Sequence, residues 1–429
     1  MRDVIGAPAA WLARAIRDKK VSSVEVVRAH LEHIHTVNPR LNAVVFAPAE
    51  SALKEARTAD RHNRRASALG PLHGVPFTAK DIFNTSGLPT TAGLRMLRAN
   101  VPDHDATVVA RMRRAGAILI GKTNCPPGGV GSDSWNPLHG GTRNPYDYNR
   151  SPGGSSSGEA SIIAAGGSPL GIGSDSGGSL RMPAHYCGIA ALKPTAGLVP
   201  STGAYGLPGG LSDPRSQVGP MARFVSDLIL ALPVLAGPDG IDSAVVPVPL
   251  AKRTPKLDGL RVAWYADDGL NKPTAATAAT VRSAAKALAA AGCVVTEERP
   301  PALTEAHLVT LGYWGRRRMS HERLYRRWDG FRTALLEFMS RFDLVLSPVA
   351  PDVAPLFRVK LRGDHQFSYT IPYSLTGNPC VVVRAGTSPE NLPIGVQIVA
   401  RVWHDDVALR AGRAIEKTLG GWRPASVVG

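Results

Sequence analysis

The chain has 429 residues, of which 44% are hydrophobic and 20% are charged, a composition typical of a globular protein with a large buried core. No run approaches 18 apolar residues and the N-terminus lacks a sustained apolar segment, so we expect no membrane span, no signal peptide and a cytoplasmic protein. The net charge of +16 is compatible with nucleic-acid binding. However, the basic residues are scattered and the densest run, residues 316–332, is typical of a solvated helix face, so we expect no nucleic-acid partner.

Residues 1–65 are predicted to be helical. Ser22 and Glu25 have the spacing of a capping box, which predicts a helix that begins just after Ser22. Residues 70–125 are predicted to alternate short strands with a helix.

A match to the P-loop pattern lies at Gly116–Thr123. A P-loop requires a strand, then a flexible loop that wraps phosphates, then a helix. Here residues 106–115 have helical spacing, Gly116 is a typical helix stop, and residues 117–120 form an apolar run. The order predicts a helix, a turn and a buried strand, followed by a loop at residues 122–124. We therefore interpret the match as accidental and predict no nucleotide binding.

The middle of the chain, residues 140–220, is rich in glycine and serine but is interrupted by apolar blocks. This pattern indicates tight turns that hold the backbone close to another group, and not a flexible linker. Residues 233–260 are rich in proline and are predicted to connect two parts of the fold.

The remaining chain alternates predicted strands and helices, which indicates an α/β architecture. A strand, a helix ending at Gly292 and a second strand form a predicted β-α-β unit. The later predicted elements are helices over 303–341, strands at 342–348, 378–385 and 392–400, and a closing helix at 405–419.

Four cysteines are present, with neither a CxxC pair nor the spacing of zinc ligands, so we expect reduced thiols and no metal site. They are Cys125, Cys187, Cys293 and Cys380. Cys125 lies next to a Gly-rich segment and could act as a ligand-sensing thiol, although a small packed residue is the more frequent role.

Two Gly-Gly-Ser elements end at Ser155 and Ser179, and Lys80 follows an apolar strand upstream. A serine on a glycine turn can present its hydroxyl among converging N–H groups, as an acyl-transfer nucleophile requires. A lysine whose pKa is lowered by burial can serve as its base. Residues 154–158 also fit the Gly-x-Ser-x-Gly pattern, but no strand precedes them, so we do not predict a histidine-dependent α/β-hydrolase. From composition alone, ordinary turns and an acyl-transfer site are equally supported.

The chain closely resembles the amidase signature family over nearly its whole length and in the family's order. The similar segments are GPLHGVPFTAKD, GKTN, GGSSSGE, GSDSGGSLRMPA, CGIAALKP, GPMARFVSDL, FDLVLSPVAP, IPYSLTGNP and LPIGVQIVA. The resemblance implies a single domain with a central twisted mixed β-sheet flanked by helices on both faces. Its expected parts are an N-terminal helical segment (1–65), a catalytic core (70–225), a variable substrate-covering segment (233–340) and C-terminal strands with a helix (341–429).

The resemblance also implies a Ser-cisSer-Lys triad. Ser179 matches the nucleophile and Lys80 matches the base. Ser155 matches the bridging serine, which the family holds on a cis peptide bond with the preceding residue, here Gly154.

Further site residues follow from the same resemblance. Asp175 and Arg181 would brace the nucleophile loop, and Ser156 would hydrogen-bond Lys80 or the substrate carbonyl. The oxyanion hole would be formed by the backbone N–H groups of Ser176, Gly177, Gly178 and Ser179. The expected substrate-contacting residues are Gly129, Val130, Gly131, Ser132, Tyr369 and Tyr373. Gly128, Gly129, Val130 and Gly131 replace bulkier residues of the family, and the 232–340 region is short for the family, which suggests a wide or open site.

The implied activity is hydrolysis of a small-molecule amide to an acid and ammonia or an amine through an acyl-serine, without cofactor or metal and with a homodimer as a possible assembly. The alternative is the glutamine-hydrolysing subunit of a tRNA-dependent amidotransferase. The basic charge favours that alternative, whereas Glu159 stands where such subunits usually have serine, and we expect the rest of the match to them to be weak. A catalytically inactive scaffold is the third hypothesis, which the intact Lys80, Ser155 and Ser179 disfavour.

Overall fold

The structure, a computed structural model, describes residues 4–64, 69–132, 134–207, 214–250, 256–359 and 364–425. The strands among these residues are β1 (Val44–Phe46), β2 (Pro76–Lys80), β3 (Ile118–Thr123), β4 (Trp135–Asn136), β5 (Gly140–Gly141), β6 (Leu170–Asp175), β7 (Ala190–Lys193), β8 (Gln217–Ala222), β9 (Arg261–Trp264), β10 (Val294–Glu297), β11 (Leu344–Pro348), β12 (Cys380–Thr387) and β13 (Pro393–Ala400). The α-helices among them are α1 (Ala9–Arg17), α2 (Ser23–Leu41), α3 (Ala49–Arg64), α4 (Thr107–Arg114), α5 (Ser157–Ala164), α6 (Arg181–Tyr186), α7 (Val225–Leu235), α8 (Ala275–Ala290), α9 (Leu303–Tyr313), α10 (His321–Arg341), α11 (Ile371–Leu375) and α12 (Asp405–Leu419).

Most strands belong to one sheet, in the order β1-β3-β2-β6-β8-β7-β12-β13-β11-β9-β10, while β4 and β5 form a separate pair. Strand β2 runs parallel to both β3 and β6, and β9 runs parallel to both β10 and β11. The other pairs in the large sheet are antiparallel. The sheet is therefore mixed, as predicted.

Helices pack on both faces of this sheet. Strand β12 shows the reason, since its side chains alternate between the faces with a period of two residues. Val381 and Val383 join a core cluster that includes residues of α7, α8 and α12, whereas Val382 joins a second cluster that includes residues of α2, α5 and α6. The predicted α/β fold with helices on both faces is confirmed.

Local sequence signals explain several element boundaries. Helix α2 begins after Ser22, whose hydroxyl accepts the Glu25 N–H while the Glu25 carboxylate accepts the Ser22 N–H, and this confirms the predicted capping box. Helix α4 ends just before Gly116, whose φ is +90°. The apolar run that follows is the fully buried strand β3, which extends through Thr123. Residues 122 and 123 are thus part of this strand, and not of the predicted loop.

Two predictions of helical segments need correction. Residues 1–65 include a short strand, β1, which pairs antiparallel with β3 at the edge of the sheet. Residues 303–341 contain two helices, α9 and α10, separated by residues 314–320. The break lies beside Gly315, whose φ of +66° suits glycine far better than other residues.

The arrangement of β2 and β6 positions the site. Because these neighbouring strands are parallel, their carboxyl ends meet at one edge of the sheet. Lys80 is the last residue of β2, and Ser174 and Asp175 are the last residues of β6. Open α/β sheets usually bind ligands at such an edge.

Candidate active site

Lys80 lies at the centre of a buried polar cluster. Its side chain is fully buried, and Nζ donates to Ser155 Oγ at 2.6 Å and to Ser174 Oγ at 2.9 Å. Burial disfavours the charged ammonium and lowers the Lys80 pKa to about 8, although Cys125, Asp175 and Glu159 oppose the shift. A substantial fraction of Lys80 is therefore neutral at mildly alkaline pH, as a base must be. The contact with Ser174 was not predicted, since it follows from strand pairing and not from a motif.

A buried carboxyl group, Glu159 on α5, lies near this cluster. Its two oxygens accept hydrogen bonds from Thr78 Oγ1 at 2.7 Å and from Thr123 Oγ1 at 2.9 Å. Burial raises the Glu159 pKa to about 8. Its charged form would favour the Lys80 ammonium, and burial opposes that charge.

Ser155 and Ser156 precede α5. The Gly154–Ser155 peptide bond is cis, as the family resemblance implies. Ser156 N–H donates to the Ser179 carbonyl at 3.2 Å, which ties this segment to the loop that carries Ser179. Ser156 Oγ donates to the Ser174 carbonyl at 3.2 Å. Its hydroxyl thus contacts the β6 backbone, and the hydrogen bonds of Lys80 go to Ser155 and Ser174. The predicted contact of Ser156 with a substrate carbonyl stays a prediction.

The loop that carries Ser179 connects β6 to α6 and is braced by a buried ion pair. Asp175 Oδ2 accepts Arg181 Nε and Oδ1 accepts Arg181 Nη2, each at 3.0 Å. Arg181 also donates to the Thr370 carbonyl and to Ser374 Oγ, each at 2.7 Å. Burial alone would raise the Asp175 pKa, but the charge and hydrogen bonds of Arg181 bring it below its ordinary value. The ion pair thus joins the last residue of β6 to the first residue of α6.

One of the four predicted oxyanion donors has another partner. Gly178 N–H donates to Asp175 Oδ1 at 2.7 Å, so it points toward the ion pair. This leaves the N–H groups of Ser176, Gly177 and Ser179 as the candidate donors. Gly178 has a φ of +138°, and a Cβ there would lie 2.7 Å from Thr370 Oγ1, so only glycine fits this turn.

Asp175→Asn is expected to destabilise the fold by about 3–5 kcal/mol, because it leaves the buried Arg181 guanidinium without its counter-charge. Chemical denaturation measures this loss as a change in the free energy of unfolding. Glu322→Gln is the control, since Glu322 pairs with Arg326 on an exposed surface and its loss should leave the melting temperature unchanged. Equal stability of the two variants would contradict the bracing role.

A cavity of about 420 Å³ opens beside these groups. Ser155, Ser174 and Ser179 line it together with Ser176 and Gly177. Gly129, Val130 and Gly131 also line it, and their contact with substrate stays a prediction. Ser132 was expected there too, but its hydroxyl donates to Gln366 Oε1 at 3.1 Å and it is not among the lining residues.

The two tyrosines predicted to contact substrate lie in the core. Tyr369 and Tyr373 are fully buried. The Tyr369 hydroxyl donates to the Asn271 carbonyl at 2.7 Å, and the Tyr373 hydroxyl lies 3.0 Å from that of Tyr265. Their hydroxyl groups are thus satisfied away from the cavity, and neither ring lines it. The cavity has other aromatic residues in its wall, which come from distant segments and were not predicted: Tyr205, Tyr313, Trp314 and Phe367.

The lysine of the P-loop match has a structural role. Lys122 is fully buried and lies 3.3 Å from Asp81 Oδ1. It donates to the Phe83 carbonyl at 2.9 Å and to Thr90 Oγ1 at 2.8 Å. Its side chain therefore links β3 to the segment after β2, and it is not part of a phosphate-binding loop.

Cys125 does not line the cavity and is buried. Burial raises the pKa of its thiol to about 12, so the reactive thiolate is not populated at neutral pH. In the described part of the chain, no group of three or more His, Cys, Asp or Glu side chains could hold a metal ion, and no helix is long and apolar enough to cross a membrane.

Comparison with known proteins agrees with this geometry. The family model described as Amidase matches residues 25–323 and 315–409. The chain belongs to the amidase signature family. Among solved structures, 6-aminohexanoate cyclic dimer hydrolase, solved in complex with its substrate, superposes with a TM-score of 0.86 at 27% identity, covering 100% of both chains. The amidase signature fold is thereby confirmed.

Relatives of this chain include both an amidotransferase subunit and an acylamidase, the two kinds of protein that the sequence did not separate. A glutamyl-tRNA(Gln) amidotransferase subunit of Acidothermus cellulolyticus is 34% identical over 485 residues, covering 97% of this chain and 95% of that protein. Acylamidase of Rhodococcus erythropolis is 32% identical over 453 residues, covering 94% of each. The expectation of a weak match to the amidotransferase subunits is therefore wrong, and overall similarity does not separate the two functions.

Proposed function

We propose that this amidase signature protein hydrolyses the C–N bond of a carboxylic amide through an acyl-serine intermediate. One observation carries the proposal: the fully buried Lys80, whose pKa is lowered, lies 2.6 Å from Ser155 Oγ beside a cavity that Ser179 lines. A neutral amine next to a hydroxyl relay is the arrangement that activates a serine without histidine.

In the proposed acylation, neutral Lys80 accepts the proton of Ser155 while Ser155 accepts the proton of Ser179. Ser179 Oγ then attacks the amide carbonyl, and the oxyanion accepts hydrogen bonds from the N–H groups of Ser176, Gly177 and Ser179. Ser155 returns a proton to the leaving nitrogen as the C–N bond breaks. Water then attacks the acyl-serine, by the same relay, and releases the acid.

The second candidate is glutamine hydrolysis within a tRNA-dependent amidotransferase. The relatives named as glutamyl-tRNA(Gln) amidotransferase subunits and the net charge of +16 support it. Glu159, where such subunits usually have serine, speaks against it. We favour the stand-alone amidase on the ground of Glu159.

A hydrolysis screen of the purified single chain tests the choice. We expect release of ammonia or amine from at least one of a panel of primary amides, anilides and esters, and no release by Ser179→Ala. Hydrolysis of glutamine that appears only when amidotransferase partner subunits and tRNA are added would instead support the second candidate. Turnover that survives Ser179→Ala would overturn the mechanism.

A further inference from the structure

The fully buried carboxyl group of Glu159 lies against three neighbouring strands of the sheet. Thr78 Oγ1 on β2 donates to one of its oxygens and Thr123 Oγ1 on β3 donates to the other. On β6, which lies on the other side of β2, Gly171 leaves the space that the carboxyl group occupies, since a Cβ there would collide with Glu159 Oε2. The strands thus provide two donors and one free space for this single side chain.

The carboxyl group lies on the same face of the sheet as the Lys80 side chain. Thr78 and Lys80 are two residues apart on β2, so their side chains point to one face. Thr123 is the register partner of Lys80 on β3, and paired residues also share a face. Because Glu159 binds both threonines, it approaches the face from which the Lys80 amine reaches Ser155.

Glu159 also belongs to the segment that carries the hydroxyl partner of Lys80. It lies in the first turn of α5, and Ser155 lies two residues before that helix begins. The two hydrogen bonds of its carboxyl group therefore join the start of α5 to β2 and β3. Proton transfer requires the two heavy atoms to stay within hydrogen-bond distance, so this connection controls how closely Ser155 approaches Lys80.

The second effect of Glu159 on Lys80 is electrostatic. Burial raises the pKa of Glu159 and lowers the pKa of Lys80, whereas the charge of each group favours the charge of the other. Among the described residues packed against α5, Lys80 is the charged group that acts on Glu159, and Glu159 forms no ion pair. The two groups are therefore coupled in their titration.

Two other groups favour the Lys80 ammonium, namely Cys125 and Asp175. The carboxylate of Asp175 is already paired with Arg181. Burial raises the pKa of the Cys125 thiol to about 12, so its thiolate is not populated near neutral pH. Glu159 is thus the neighbour of Lys80 whose charge can change with pH while no counter-ion among the described residues balances it.

We propose that Glu159 is a positioning residue for the proton relay: its carboxyl group holds Ser155 against Lys80 by joining α5 to β2 and β3, and its ionisation sets the pH range in which Lys80 acts as a base. The inference rests on the proposed acyl-serine chemistry. It adds a group that does not line the catalytic cavity and that acts only through Lys80 and Ser155.

The test measures how fast phenylmethanesulfonyl fluoride labels Ser179 at a series of pH values, because this reaction uses the relay without requiring a known amide. Ser179 Oγ bonds to sulfur, fluoride leaves, and the relay accepts the Ser179 proton. In the wild type we expect the labelling rate to rise with pH and to level off once Lys80 is neutral.

Glu159→Gln keeps the shape of the side chain and removes its charge, so the Lys80 ammonium is less favoured. The midpoint of the rise should move to lower pH by about 0.5–1 unit, while the plateau rate stays nearly unchanged. Thr123→Val removes one donor to the Glu159 carboxylate and makes its ionised form less favourable. Its midpoint should move in the same direction, but less far. A purely structural role would change stability without moving either midpoint.

Glu159→Ala removes the connection between α5 and the two strands as well as the charge. Its plateau labelling rate should fall by about 10- to 100-fold, because Ser155 is no longer held at the distance that proton transfer requires. A plateau equal to that of the wild type would overturn the positioning role. If this variant does not fold, Glu159→Gln and Thr123→Val decide, since both preserve the shape of the side chain.

Glu416→Gln is the matched control. Glu416 on α12 is a partly buried carboxyl group that accepts the Val225 N–H at 2.9 Å, and burial raises its pKa as well. However, α12 packs on the face of the sheet opposite to α5. This variant removes a comparable carboxyl group and should leave both the midpoint and the plateau of Ser179 labelling unchanged.

The inference and the proposed function fail in different ways. A midpoint that is unchanged in both Glu159→Gln and Thr123→Val, or that moves to higher pH, overturns the role of Glu159 alone. The expected shifts without hydrolysis of any amide overturn the proposed function alone, and the absence of both labelling and hydrolysis overturns both. If amides are hydrolysed but Ser179 is not labelled, the pH profiles of kcat/KM for the same variants decide by the same shifts.

Discussion

Ser179→Ala is expected to lower kcat/KM for amide hydrolysis by at least about 10⁴-fold, because it removes the atom proposed to form the acyl bond. The change deletes one oxygen from a half-buried side chain at the edge of the cavity, so the fold should be retained. Rates of ammonia release by the two proteins measure the loss, and circular dichroism melts check that both are folded. A sulfonyl fluoride should label the wild type at Ser179 and leave the variant unlabelled.

Ser157→Ala is the matched control for this experiment. Ser157 belongs to the same run of serines, is fully buried, and donates to the Asn124 carbonyl at 3.3 Å, away from Lys80. Its loss should change kcat/KM by less than about tenfold, since the hydroxyl has no proposed part in the proton relay. Labelling of Ser155 in place of Ser179, or an equal loss in the two variants, would contradict the assignment of the nucleophile.

The parts of the site that local sequence could predict are those carried by short-range patterns. Glycine turns at Ser155 and Ser179 predict serine hydroxyl groups that are presented by the backbone. The apolar strand before Lys80 predicts a buried amine. These groups lie close together because β2 and β6 pair in parallel. The family resemblance implied that proximity, whereas the local patterns alone did not predict it.

The parts that sequence could not predict depend on long-range packing. Ser174 contacts Lys80 because β6 lies beside β2. Gly178 N–H is not a candidate oxyanion donor because it donates to the Asp175 carboxylate. The predicted pocket tyrosines fail for the same reason. Tyr369 lies close in sequence to Phe367, which lines the cavity, yet its own hydroxyl is bound in the core by the Asn271 carbonyl. The direction of each side chain in this turn is set by the neighbours against which it packs.

The fold itself was more predictable than the site, because alternating strands and helices with apolar faces have few packed solutions. The exceptions are small edge elements and interruptions. Strand β1 has only three residues, too few to show the alternating apolar pattern of a strand, and it is recognised only by its pairing with β3. The break between α9 and α10 supplies Trp314 and Arg316 to the cavity, which shows how a local departure from helix builds part of the site.

The pH profile of the wild type should reveal Lys80 as the base. Because only the neutral amine accepts a proton, and burial lowers the Lys80 pKa from 10.5 to about 8, kcat/KM should rise about tenfold per pH unit below that value. Above it the profile should level off, since Lys80 is then fully neutral. Initial rates with a neutral amide between about pH 5.5 and about 9.5 test this without a charge change in the substrate.

Lys80→Met is expected to lower kcat/KM by about 10²–10⁴-fold and to remove this rising limb. Methionine keeps an unbranched chain of similar length. Among the described residues Lys80 forms no ion pair, so its replacement leaves no carboxylate without a partner, and the variant should remain folded. A rising limb that persists in Lys80→Met with the same apparent pKa would assign the base to another group.

Lys122→Met separates catalysis from stability. Lys122 is as deeply buried as Lys80, and Lys122↔Ala79 pairing places it on the strand next to β2, but it is bound to Asp81 at 3.3 Å. Its replacement leaves that buried carboxylate without its counter-charge, so this variant should unfold at lower denaturant concentration while retaining the rising limb below about pH 8. The two lysines thus differ in role because one has a counter-charge and the other faces a serine. Burial lowers the pKa of both, but Asp81 opposes the shift at Lys122 and favours its charged form, whereas burial beside Ser155 favours loss of the Lys80 proton.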